Sequence, residues 1–144
     1  MMNKKAESFK AYLEQKNITV FAIDEIKDDD LHTVVFRSQI NINGNNLPTI
    51  VIADDSIYSM IRILVAPKTP EEGLSKDLAA LLNTYNYTYK AFKYYVDHTG
   101  ALILDIPIIS AGDSLNGDLV YALFDTVIKH LTDAYKDIMK EIWK

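Results

Sequence analysis

Three histidines, twenty carboxylates and nine tyrosines are the groups in this 144-residue chain that could carry chemistry. The absence of cysteine removes disulfides, thiol nucleophiles and thiolate metal sites together. His32, His98 and His130 fall at an expected strand start, a turn and a helix. His130 and Asp133 are three apart on that helix, but no third metal ligand is implied, so both read as polar residues on a solvated face. Asp24, Asp28, Asp29 and Asp30 lack the glycine and terminal glutamate of a calcium loop, and read with Asp54 and Asp55 as solvated turns. There is no glycine-rich phosphate loop, serine elbow or zinc-protease histidine pair. Acid–base work by two carboxyls needs one of them in an apolar pocket. Asp97, Asp105 and Asp113 have simpler roles: a turn, a cross-strand pair and a loop or helix start. The expectation is a protein that is not an enzyme, with no catalytic, cofactor-binding or metal-binding residue.

The aromatic run "NTYNYTYKAFKYYVDHTGALILDIPI" is the other chemical feature. "VDHTGA" fits a type I turn with Gly100 in the left-handed position and Asp97 opening it. If Asp97 faces Ala101, then Val96 meets Leu102, Tyr94 meets Leu104 and Phe92 meets Ile106 on one apolar face. Tyr95 then meets Ile103, Lys93 meets Asp105 and Ala91 meets Pro107 on the other. Opposite charges fall directly across the pair, which adds a few tenths of a kcal/mol up to about 1. A slip of one residue destroys both matches. Phe92 and Tyr94 are therefore core. Tyr85, Tyr87, Tyr89 and Tyr95 stay as candidates for contact with a small molecule or a peptide.

These residues need a scaffold, and the periodicity supplies it. Ala6, Phe9 and Leu13, with Met2 on the same stripe, predict a first helix that Asn17 can stop. "ITVFAIDEI" can form a short strand before the acidic run. Thr33 to Ile42, a tight Asn43-Gly44 turn, Leu47 to Ala53, the Asp54–Ser56 turn and Ile57 to Val65 predict three strands. The last is apolar on both sides, with Ile57, Ile61, Ile63 and Val65 on one and Tyr58, Met60 and Leu64 on the other, which suggests a strand covered more completely than its neighbours. Thr69, Pro70 and Glu72 resemble a capping box ahead of a helix bearing Leu74, Leu78, Leu81 and Leu82, with Gly73 in its first turn.

The longest helix is predicted from about Asn116 to Ile142. Val120, Leu123, Phe124, Val127, Leu131, Ala134, Tyr135, Ile138 and Ile142 form its stripe. Tyr121, Ile128, Met139 and Trp143 widen the stripe on one flank, more than a helix lying on one sheet requires. That flank is a candidate interface for a partner or a second copy. The element order α-β-β-β-α-β-β-α, with an optional extra N-terminal strand, predicts a two-layer α+β fold with an antiparallel sheet, as one domain over residues 1–144.

A net charge of −5 and only two arginines, Arg37 and Arg62, argue against nucleic acid as a partner. No apolar run approaches the roughly 20 residues that span a bilayer, and the N-terminus lacks the apolar stretch of a signal peptide. A soluble cytoplasmic protein is the expectation.

The helix ending in Asn83 and Asn86, the basic-aromatic strand after it, and the Asp97-x-x-Gly100 turn leading to an apolar strand resemble the YbjN-like family. "IRILVAP" and "GDSLNGDLVYALFDTVIKHLTDAYKDIMK" fit the same order, so the likeness runs from about residue 5 to the C-terminus. That family shares its fold with class I type III secretion chaperones. The resemblance implies a small chaperone or adaptor that dimerises and binds an extended protein segment along a sheet-and-helix surface. It brings no catalytic residue, and implies a structural role for Asn83 and Asn86. The alternative is a regulator or sensor binding a small molecule beside Tyr85, Tyr87 and Tyr89.

Overall fold

The computed structural model describes residues 2–69 and 74–144. Its elements run α1 (Lys4–Gln15), β1 (Ala22–Glu25), β2 (Val34–Ile42), β3 (Asn45–Ala53), β4 (Tyr58–Ala66), α2 (Lys76–Thr88), β5 (Lys93–Val96), β6 (Leu102–Ile109) and α3 (Gly117–Ile142). The strands form an antiparallel six-stranded sheet ordered β1-β2-β3-β4-β6-β5. This is the expected two-layer α+β arrangement, and the extra N-terminal strand is present as β1.

Local chemistry explains the connections. Asn43 and Gly44 both take positive φ, 52° and 86°, as the tight β2–β3 turn requires. At the β5–β6 turn Gly100 has φ 87°, its N–H donates to Asp97 O at 3.0 Å, and Asp97 Oδ1 accepts from Thr99 and Ala101 N–H. The predicted register follows: Val96 opposes Leu102, Tyr94 opposes Leu104, Tyr95 opposes Ile103 and Lys93 opposes Asp105.

Asn3 caps α1 by accepting from Ala6 N–H, and its amide donates to His32 O and Ala53 O. The buried Lys5 ammonium donates to Tyr58 O and Ser59 Oγ, which ties α1 to β4. Burial lowers its pKa, opposed by the nearby Asp54 and Asp55 carboxylates. The capping-box expectation before α2 does not hold at Thr69. Its N–H and hydroxyl both donate to Gly100 O, which splints the β5–β6 turn. Ser75 caps α2 instead, accepting from Leu78 N–H; Pro70, Glu72 and Gly73 lie outside the described residues.

The core lies between the sheet and the helices. Phe9 of α1 meets Phe36 edge-on at 4.9 Å, Leu78 and Leu82 of α2 are buried, and His130 of α3 reaches Tyr94. The registers put Phe36, Val51, Ile61, Ile106, Leu104 and Tyr94 on one face, so the three helices share that face. β4 is covered more completely than the preceding strands β2 and β3, but unequally on its two sides. Ser59, Ile61, Ile63 and Val65 are buried, but Tyr58 is exposed and Met60, Arg62 and Leu64 are only half-buried. Ile57 precedes the strand and is exposed. The second apolar side of β4 belongs to a face that no helix covers.

Candidate protein-docking surface

Two aromatic groups back the two ends of the sheet. Under β1 and β2, Phe9 stands at 5.8 Å from Phe21 and 4.9 Å from Phe36, and Phe21 at 6.4 Å from Phe124. Tyr12 and Tyr121 extend this group, 6.1 Å apart. Gly117 opens α3 directly against Tyr12: a Cβ there would lie 2.2 Å from the tyrosine Cγ. The Tyr12 hydroxyl donates to Asp118 Oδ1 at 3.0 Å, so the ring is held over the glycine.

Under β5 the second group closes around a histidine. Tyr85, Tyr89, Phe92 and Tyr94 place their ring centroids 4.9, 4.8, 4.5 and 5.7 Å from the His130 imidazole. His130 Nε2 and the Tyr94 hydroxyl share a 2.7 Å hydrogen bond. At 8% exposure, His130 is not the solvated residue expected from the sequence. Burial pushes its pKa down to about 4, with Asp133 acting weakly the other way, so it is neutral near pH 7. Burial also raises Tyr94 far above the ordinary phenol range and raises Tyr85, which Asp137 assists. Its place on the stripe, three after Val127 and four before Ala134, is the signal that could have found it.

The two sheet edges then differ. At β5, Tyr94 turns its backbone outward, and Asn86 of α2 meets it with a side-chain amide. Asn86 Oδ1 accepts from Tyr94 N–H at 2.7 Å and Nδ2 donates to Tyr94 O at 3.1 Å. One side chain takes the place of a neighbouring strand's peptide group. Among the described residues β1 has no such partner. Ile26 N–H donates to Thr33 O at 2.9 Å, in line with the pairs Asp24–Val35 and Ala22–Arg37. Hydrogen-bonded and non-bonded pairs alternate in an antiparallel ladder. Ile23 and Glu25 therefore point their N–H and C=O groups off the sheet. All of β1 is exposed. Shallow clefts of about 840 Å³ and 580 Å³ flank it, the first running from Glu25 to Val34, the second between Val20 and Asn46.

The helix-free face adjoins this edge. Ile50, Ile52, Met60 and Leu64 are half-buried there, and Tyr58 and Ile109 are exposed. At its centre Arg62 grips Asp105 through two bonds, Nε to Oδ1 at 2.8 Å and an NH2 nitrogen to Oδ2 at 2.9 Å. The Tyr95 hydroxyl donates to the same Oδ2 at 2.9 Å. The register places Lys93 and Arg62 on either side of Asp105, and the planar guanidinium takes the carboxylate in a bidentate pair that an ammonium cannot form. Lys93 donates to Tyr89 O and Phe92 O instead.

The expected site residues are distributed among these features. Tyr85 and Tyr89 come together, but the centre they surround is filled by the His130 ring. Tyr87 is 90% exposed on the outer side of α2, and Tyr95 lies on the helix-free face. On the α3 flank, Tyr121, Ile128 and Met139 are half-buried against the chain's own core, while Trp143 is 79% exposed. Asn86 has a structural role, though its bonds go to β5 and not to its own helix end. Among the described residues no three His, Asp or Glu side chains are grouped to hold a metal ion, and no helix is long and apolar enough to cross a membrane.

No protein-family model and no curated protein matches the chain. Among solved structures, the chain is similar to one in the heterodimeric complex ExoU-SpcU from the type III secretion system of Pseudomonas aeruginosa. The identity is 13% and the TM-score 0.53, covering 92% of this chain and 95% of that one. At that identity the likeness is one of fold. It does not show the finer YbjN-like resemblance.

Proposed function

We propose that the chain is a single-domain, non-enzymatic protein-binding module of the chaperone or adaptor kind, placed with the YbjN-like proteins and working in the cytoplasm. It takes up an extended protein segment along the β1 edge and the helix-free face beside it. The observation that carries this reading is the asymmetry of the edges: among the described residues the outward amides of Ile23 and Glu25 have no partner, whereas the outward groups of Tyr94 at β5 are met by Asn86. An edge strand with free amides binds by adding a strand, and the neighbouring face supplies pockets for alternate side chains. The cleft lined by Pro48, Ile50, Leu64 and Ile103 beside Arg62 is such a place.

Affinity capture from the native cytoplasm tests this, with Ile23→Pro as the matched control. Proline removes the outward N–H without touching the bonds to β2, a position edge strands tolerate. One protein recovered in near-stoichiometric amount with wild type and lost with Ile23→Pro is the expected result. Equal recovery with both moves the site away from β1.

Self-association through the α3 flank is a separate proposal, with Trp143 as its exposed anchor. Light scattering after size exclusion is expected to give about twice the 16.3 kDa chain mass, shifted toward monomer by Ile128→Lys with Met139→Lys. A wild type that stays monomeric across a concentration series removes it.

A further inference from the structure

We propose that the segment received at β1 is basic, with lysine or arginine opposite Glu25 and an apolar residue opposite Ile23. The inference rests on the strand-capture reading above and adds the chemistry of the occupant. β1 reads Ala22-Ile23-Asp24-Glu25, and the chain continues through Ile26 and Lys27 into Asp28, Asp29 and Asp30. Asp24 is exposed and pairs with Arg37 at 3.3 Å, and Asp29 is occupied by Thr33. Glu25, Asp28 and Asp30 are exposed and have no cationic partner among the described residues. They line the cleft at the end of β1 together with Lys27 and with His32, whose ring is taken by Asp55. Val20, Ile23, Ile26 and Leu31 add exposed apolar side chains along the same edge.

An antiparallel segment added to β1 pairs its backbone with Ile23 and Glu25, and those two side chains lie on one face of the sheet. The residue opposite Ile23 meets an apolar neighbour, and the one two places away meets Glu25. A basic side chain there, and others running on toward Asp28 and Asp30, turn unbalanced charge into cross-strand pairs. An acidic segment would set like charges directly opposite.

The test is a fluorescence anisotropy titration with two peptides about ten residues long, a usual upper strand length. One repeats Lys-Lys-Val-Val and the other Glu-Glu-Val-Val, so that residues two apart, which share a face, differ in type. The lysine peptide is expected to bind, the glutamate peptide at least about tenfold more weakly, and Glu25→Lys with Asp30→Lys to weaken the lysine peptide by about tenfold or more. Ile23→Pro keeps the net charge, so it separates strand addition from general attraction to an acidic protein; it is expected to abolish binding. Ile23→Ala keeps the amide and is expected to retain it. Equal binding of both peptides, lost in Ile23→Pro, overturns the basic preference and leaves segment capture standing. Lysine-peptide binding that survives Ile23→Pro, or no binding of that peptide up to about 1 mM, a weak-affinity limit, also overturns the inference. In either case the partner-capture experiment decides separately whether the β1 edge is used.

Discussion

The two ends of the sheet are backed alike and finished differently. Under β5, aromatic rings enclose a neutral histidine, and Asn86 meets the outward groups of Tyr94 with both halves of its amide. Under β1, the rings of Phe9, Phe21, Phe36 and Phe124 pack without a polar centre, and the strand edge is left open. A single side chain can do the work of a covering strand. Where such a residue is lacking, the free backbone is available for pairing with another chain.

Acid should affect the β5 end most. His130 titrates near 4 when folded, against its ordinary 6.5, so the unfolded chain binds the proton more readily. The stability of this end is full above about pH 6.5 and falls as pH drops toward 4. At about 1.4 kcal/mol per pH unit the loss approaches ~3 kcal/mol. His130→Gln removes the titrating group and can still bond Tyr94. Urea midpoints from neutral pH down to pH 4.5 should fall more steeply in wild type than in this variant, and parallel slopes would break the assignment.

Gly117→Ala probes the β1 end. Helix propensity favours alanine, by less than the roughly 1 kcal/mol of a helix interior because Gly117 is the first helical residue. The Tyr12 ring, 2.2 Å from the added carbon, has to move, at a cost of about 1–3 kcal/mol for overpacking. A lower melting temperature than wild type is expected; a higher one would mean that propensity wins and α1 is not fixed by this contact.

Asn86→Ala should reduce stability by about 1–2 kcal/mol, the value of two hydrogen bonds that water partly replaces. It should also speed exchange of the Tyr94 amide, making β5 resemble β1. Asn86→Asp retains the acceptor and should lie between the two. The smallest effect belongs to Glu25→Lys with Asp30→Lys, exposed charges outside any ion pair among the described residues, within about 0.5 kcal/mol of wild type in a denaturant melt.

Much of this contrast is local enough to be read in the sequence. The β5–β6 register followed from apolar alternation, the Asp97–Gly100 turn and the Lys93–Asp105 match. Arg62 as the true partner of Asp105 did not, because β4 reaches β6 only after α2 and β5 have been inserted in the chain. The role of Asn86 depends on a strand eight residues further on, and the burial of His130 on α3 lying over β5. The open face was not legible for a related reason: β4 is apolar on both sides, and only the common side taken by the three helices determines which stays bare. The candidate tyrosines were divided by the same three-dimensional facts, two enclosing His130, one in solvent and one on the open face.

Residue-resolved amide exchange, with and without the lysine–valine peptide, tests the central claim most directly. In the free chain the outward amides of Ile23 and Glu25 should exchange quickly and that of Tyr94 slowly. With peptide bound, Ile23 and Glu25 should slow by at least about a hundredfold, in keeping with new ladder hydrogen bonds, and Tyr94 should not change. Protection appearing at Tyr94, or at neither edge while the peptide is bound, would contradict a docking edge at β1.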